Sequence, residues 1–222
     1  MTDAARTLLI NPTITSRRSA RFPLSLLHLA AALERSGHDS RIIDGNVDRD
    51  FVNDTLRALE QNAFDAVGVS VMGGPQLAPA IAVSRAIRAR FPALPIVWGG
   101  YFPTLNPDAA LAASYVDYAV RGQAGETLPE LIAALGSRTD AKLAAIGGLS
   151  WKHDGAVVHN PNRRFTLADH GVVLPYDKLG DPRRYLARTY LGRRTVAHQA
   201  SVGCRFRCTF CGVAAMFGGT TV

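Results

Sequence analysis

All three cysteines of this 222-residue chain fall within one short stretch, SVGCRFRCTFCG, at positions 201–212. Cys204, Cys208 and Cys211 stand as C-x3-C-x2-C. Thiolates this close can converge on one centre if the loop that carries them curls around it. Three of them suit a [4Fe–4S] cluster in which one iron keeps no protein ligand, and an open iron can bind a substrate or cofactor. A zinc site would want a fourth donor. The nearest candidate is His198, which lies inside a predicted strand (194–204). An odd number of thiols argues against a disulfide framework. The N-terminus shows no signal-peptide pattern, so the chain reads as cytoplasmic, where thiols stay reduced and clustered cysteines more often bind metal or do redox chemistry.

A loop of this kind needs a scaffold, and the first 135 residues supply a regular one. Short apolar runs alternate with helical patterns. Strands are predicted at 7–11 (TLLIN), 40–44, 65–71, 95–100 and 117–120. Helices are predicted at 23–37, 49–62, 78–91, 106–114 and 126–135. In the third helix Ala80, Val83, Ile87 and Phe91 share one face. In the fourth, Asn106 caps and Pro107 takes the first helical position. Five βα units in series predict a doubly wound parallel sheet of flavodoxin-like order 2-1-3-4-5, covered on both faces. Ligands in such folds sit at the carboxyl ends of the strands, near the point where the strand order reverses.

The candidate binding residues are therefore those of the strand-end loops. They are Asn11 and Pro12 after the first strand, and Ser70, Val71, Met72, Gly73 and Gly74 after the third. Gly99, Gly100, Tyr101 and Phe102 follow the fourth strand. Gly122, Gly125 and Glu126 follow the fifth. Glycine lets the backbone approach a bulky ligand closely. No GxGxxG follows the first strand and no GxxxxGK[ST] occurs, which disfavours a dinucleotide fingerprint and a P-loop.

Beyond residue 135 the pattern changes. Residues 148–160 read as a hairpin turning at Asp154–Gly155, with His153 and His159 as solvent-facing residues rather than ligands. Residues 161–194 are rich in Lys and Arg and show little periodicity. With no nucleic-acid motif beside it, that charge reads as a solvated connector or a packing face. A new strand is expected at 194–204, running into the cysteines. The expected organisation is an α/β domain at 1–137, a connector at 138–193 and the start of a further domain at 194–222. Net charge is +7, hydrophobic residues make up 47% and charged residues 19%, so the chain is core-forming. No stretch approaches the roughly 20 apolar residues of a membrane helix.

CRFRCTFC matches the CxxxCxΦC signature of the radical S-adenosylmethionine (SAM) superfamily, with Phe210 in the aromatic position. Upstream, LLINPT, DAVGVSVMGG, PIVWGGYFPTLNP and YAVRGQAGETLPEL resemble the N-terminal domain of B12-binding radical SAM proteins. IGGLSWKHDGAVVHNPNR and LPYDKL resemble the connector those proteins carry. The resemblance implies that Cys204, Cys208 and Cys211 ligate a [4Fe–4S] cluster whose open iron takes SAM, with Phe210 along the adenine. It implies that the strand-end loops cradle cobalamin. It further implies a small-molecule substrate and an electron donor such as a flavodoxin or ferredoxin, with neither nucleic acid nor membrane as partner. The expected reaction is radical methylation of an unactivated carbon; ring closure and skeletal rearrangement are other outcomes in the family.

Two departures qualify the match. There is no D-x-H-x-x-G, so no histidine is offered to cobalt after the first strand, and the loop after the fourth carries Phe102 where relatives often have histidine. Cobalamin is therefore expected without a histidine ligand. A barrel of the related kind needs roughly 150–200 residues beyond the cysteines, whereas about ten follow Cys211. The chain thus reads as a fragment or the product of a truncated gene. Two other readings stay open: a stand-alone corrinoid-binding module, and an iron–sulfur electron carrier.

Overall fold

The computed structural model describes residues 4–164, 173–206 and 208–218. Residues 165–172 of the connector expected at 138–193 and the last four positions, 219–222, lie outside the described residues.

Strands β1 (Arg6–Asn11), β2 (Asp39–Asp44), β3 (Ala66–Ser70), β4 (Ile96–Gly99) and β5 (Tyr118–Val120) pair in parallel in the order 2-1-3-4-5. The helices are α1 (Leu24–Arg35), α2 (Phe51–Gln61), α3 (Leu77–Arg90), α4 (Tyr101–Leu105), α5 (Pro107–Ala112), α6 (Thr127–Leu135), α7 (Asp140–Ala144) and α8 (Val213–Phe217). The central strand β1 is apolar almost throughout because both faces of the sheet are covered. Strand alternation sends Leu9 toward one core and Leu8 and Ile10 toward the other. The Leu9 side is packed by α1, α6 and α7; the opposite side by α2, α3 and α5. On α3 the predicted face holds, with Ala80, Val83 and Ile87 fully buried. The Trp98 indole N–H in this second core donates to Ser84 Oγ at 3.0 Å, so its burial leaves no donor unpaired.

The hairpin forms where the sequence placed it, as β6 (Leu149–His153) and β7 (Ala156–His159). Asp154 and Gly155 both take positive φ, 49° and 80°, as the tight hairpin turn requires. It also does more than the sequence suggested. β6 pairs antiparallel with β5, so the sheet has seven strands and β5 is not an edge. Trp151 and Leu149 are buried in the α1–α6 core. The buried Asn160 ties α7 to this hairpin. Its amide donates to the carbonyls of Leu143 at 2.6 Å and Ile146 at 2.8 Å, while its oxygen accepts from the Trp151 indole.

The basic segment packs back on the domain. Arg163 pairs with Glu126 and Glu130, Lys178 with Glu34 and Asp39, and Arg184 with Asp48. Phe22 receives the rings of Tyr176 and Tyr185, each at 5.0 Å. The Tyr185 hydroxyl faces the buried carboxylate of Asp44, and burial raises the pKa of both groups. A second hairpin follows, β8 (Ala187–Thr189) with β9 (Gly192–Thr195). The strand expected at 194–204 is thus mostly absent: β9 ends at Thr195, and residues 196–202 form no strand.

Asn160→Ala strands the Trp151 N–H and two buried carbonyls. It is expected to cost about 2–4 kcal/mol in chemical denaturation. Asp44 is expected to impose a pH signature. Its raised folded pKa favours the fold at pH below the ordinary aspartate range, and that advantage is lost as pH rises through the folded value. Asp44→Asn keeps an acceptor for Asn11 and Asn46 but carries no charge. Its stability relative to the native chain should rise from pH 4 to pH 7 in urea titrations; a difference independent of pH would refute the assignment.

Candidate functional site

A cavity of about 760 Å³ opens at the carboxyl ends of the strands and runs down between α1 and α6. That is the size of a small-molecule site. Its floor is the row Leu9, Gly68 and Val97, which the sheet register sets side by side on β1, β3 and β4. Gly68 makes the space: a Cβ there would stand 3.0 Å from Leu9 Cδ2 and project into the cavity. One wall is the α1 stripe Ser25, His28, Leu29 and Ala32; Leu128 of α6 stands opposite.

The rim is built from loops that side chains tie to one another. Asn11 donates to Asp44 Oδ1 at 2.9 Å, and Asn46 Oδ1 accepts from the backbone N–H groups of Ile14 and Thr15 at 2.9 and 3.0 Å. Gln76 is buried across the point where strand order reverses. Its amide reaches Asn11 Oδ1 at 3.1 Å and the Pro12 carbonyl at 2.8 Å, and its oxygen accepts from Met72 N–H at 2.7 Å. Gly100 has φ 99°, and a Cβ there would meet the Val71 carbonyl at 2.9 Å, so only glycine lets these loops close on each other. Thr104 Oγ1 donates to the Gly100 carbonyl at 2.7 Å and accepts from Gly122 N–H at 3.0 Å.

Of the residues singled out from the sequence, Asn11, Ser70, Met72, Gly99, Gly100, Tyr101, Gly122 and Gly125 line this cavity. The others stand elsewhere. Pro12 contributes its carbonyl to Gln76. Val71 is fully buried, and Gly73 and Gly74 are exposed beyond the rim. The loop after β4 is a short helix, α4, which turns Phe102 to the opposite face, edge-on to Trp98 at 6.2 Å. Glu126 pairs with Arg163 outside the cavity. Sequence reading missed Gly68, Gln76, Asn46 and Thr104. A glycine inside a strand was a usable signal for the first; the other three are recognisable only by their partners.

The cysteine segment lies against the same rim. Gln199, Val202, Met216 and Phe217 help line the cavity mouth. At Gly212 a Cβ would meet Leu105 at 2.9 Å and the Tyr101 ring at 3.4 Å, so α8 seats closely on α4. Burial, then the neighbouring Cys211 sulfur, push the Tyr101 hydroxyl above its ordinary range. The thiols themselves do not gather: Cys204 is half-buried, Cys208 and Cys211 are exposed, and Phe210 is 92% exposed. Among the described residues no three His, Cys, Asp or Glu side chains, His198 included, converge closely enough to hold a metal ion. The donor types suit a cluster, but their arrangement does not. Nor, among these residues, is any helix long and apolar enough to cross a membrane.

The model of the B12 binding domain family matches residues 11–132. Over 93% of its length the chain is 28% identical to the anaerobic magnesium-protoporphyrin IX monomethyl ester cyclase of Synechocystis sp., covering 42% of that protein. Over 88% it is 28% identical to an uncharacterized methyltransferase of Pyrococcus horikoshii, covering 41%. The chain thus spans about two fifths of the length of these curated relatives. Among solved structures, the cobalamin-dependent S-adenosylmethionine radical enzyme OxsB, with aqua-cobalamin and S-adenosylmethionine bound, superimposes with a TM-score of 0.78 at 22% identity, over 95% of this chain and 28% of that one. The radical S-adenosylmethionine methyltransferase TsrM of Kitasatospora setae gives 0.73 at 22%, over 98% and 43%. At such identity these two likenesses are of fold. A tied-loop rim over a glycine-floored cavity, in a sheet of order 2-1-3-4-5 matched by that family model, makes this chain a member of the B12 binding domain family.

Proposed function

We propose that the chain holds cobalamin for a radical SAM enzyme, most simply one that methylates an unactivated carbon of a small molecule. The observation that carries this reading is the cavity over Gly68. Its apolar floor and walls, Leu9, Val97, Leu29 and Leu128, suit a flat aromatic base such as that of the cobalamin nucleotide tail. The glycines Gly99, Gly100, Gly122 and Gly125 leave room at the rim for a broad macrocycle. Asn11, Ser70 and Gln123 offer polar groups to its amide side chains. Cobalamin supplies a cobalt centre able to carry a methyl group; the protein's part is to bind and orient it. A methyltransferase and a cyclase among the relatives support methylation or ring closure as the reaction class, beside skeletal rearrangement.

Cys204, Cys208 and Cys211 carry the donor chemistry of a [4Fe–4S] cluster that would bind SAM and draw on a flavodoxin- or ferredoxin-like reductant. Because the thiols stand apart, no catalytic step is derived through them. That same observation favours a second reading, a corrinoid-binding module without catalysis.

Purified chain incubated with hydroxocobalamin is expected to retain one equivalent through gel filtration. Leu29→Trp, which narrows the cavity from its α1 wall, should weaken retention about tenfold or more, equivalent to about 1.4 kcal/mol, with an unchanged circular dichroism spectrum. Equal retention by both proteins would move the corrinoid elsewhere. The two readings separate on anaerobic reconstitution with iron and sulfide. A [4Fe–4S] electron paramagnetic resonance signal that shifts on adding SAM is the expected result for the enzyme. Retained cobalamin with no cluster would leave the binding module.

A further inference from the structure

The cavity rim carries two exposed apolar side chains, one on each side of the point where strand order reverses. Ile14, from the loop after β1, is 39% exposed, and Met72, from the loop after β3, is 47% exposed. Both side chains line the cavity mouth, where a bound ligand would cover them. Their placement is enforced. Ile14 N–H is held by Asn46 Oδ1 and Met72 N–H by Gln76 Oε1, and Gln76 is itself fixed by Asn11 and Pro12. Just past Met72, Gly73 and Gly74 reach nothing: a Cβ on either would have no neighbour within 4 Å. From that loop, Met72 is the side chain that extends over the opening. Tyr101, another large rim residue, is committed to packing on Gly212. His28 belongs to the α1 wall between Ser25 and Ala32, below the rim.

We infer that Ile14 and Met72 form the platform under the sheet-facing side of the corrin ring, with the Met72 thioether beneath the cobalt. This inference rests on cobalamin being the occupant of the cavity. A thioether is a soft group and a weak acceptor, far poorer than imidazole as a partner for cobalt. Met72 would therefore leave the metal without a strong protein donor on that side, and axial donors are among the groups that tune a metal's redox behaviour.

Introduced imidazoles test the placement. Hydroxocobalamin is loaded onto the whole chain and onto Met72→His and Ile14→His, reduced to cobalt(II), and examined by electron paramagnetic resonance. The native chain should show no splitting from a coordinated nitrogen. Met72→His should gain the splitting of one nitrogen nucleus, and Ile14→His should not. Nitrogen splitting in the native chain, its absence from cobalamin-loaded Met72→His, or its appearance in Ile14→His instead would overturn the assignment. Failure of the native chain to retain cobalamin would show before any variant was made, and would remove the functional reading beneath it.

Discussion

A parallel sheet that winds in both directions from its first strand cannot be covered evenly. α1 leads from β1 to β2 on one face, and then the order reverses. The helices α2, α3 and α5 take the other face, and α6 returns only after β5. Helices about 10–12 Å across leave a gap over the middle strands on the α1–α6 side, where Gly68 adds no side chain to fill it. The gap is a consequence of topology, and the site follows from it. In a protein whose interior is otherwise close-packed, an opening of this size at the strand ends is a place for a ligand.

Keeping that opening in shape falls to polar side chains rather than to the core. Parallel strands end without hairpins, so their loops have no ladder to hold them. Here Asn46, Gln76 and Thr104 bind strand-end loops through backbone N–H and C=O groups, and Asp44 holds the loop after β1 by accepting from the Asn11 side chain. Because most of these groups are buried or half-buried, each bond also avoids the cost of an unpaired donor or acceptor. These bonds link the ends of β1, β2 and β3 across the reversal point and those of β4 and β5, and the Phe102 N–H donating to the Val71 carbonyl at 3.0 Å joins the two groups, which lets the rim act as one unit.

The connector adds a second level of closure. Residues 173–186 lie along β2, with Lys178 donating to the Ser40 carbonyl at 2.8 Å and Tyr185 set against Asp44. Within a run of positive charge that could have signalled an external anion, Arg163, Lys178 and Arg184 are met by Glu34, Asp39, Asp48, Glu126 and Glu130 of the same chain. From there the chain crosses to the rim, where α8 seats on α4. The cysteine loop and the cavity share residues at the mouth, and Tyr101 touches both.

By itself the sequence determined the alternation of strands and helices, the strand order, the hairpin at Asp154–Gly155 and the edge of the sheet at which the cavity opens. These follow from local rules: periodicity, capping, turn chemistry and the handedness of crossovers. It also carried the spacing of Cys204, Cys208 and Cys211, which is a property of the chain alone. The tertiary structure decided what depends on partners distant in sequence. It turned Phe102 into the core, gave Glu126 to Arg163, joined the hairpin to β5, and placed Gln76 across the β1 and β3 loops. It also left the three thiols apart, since spacing permits convergence but only the fold of the surrounding loop can impose it. Side chains such as Gln76 and Thr104 have no local signature, because their role is to satisfy backbone groups that come near only once the sheet has formed.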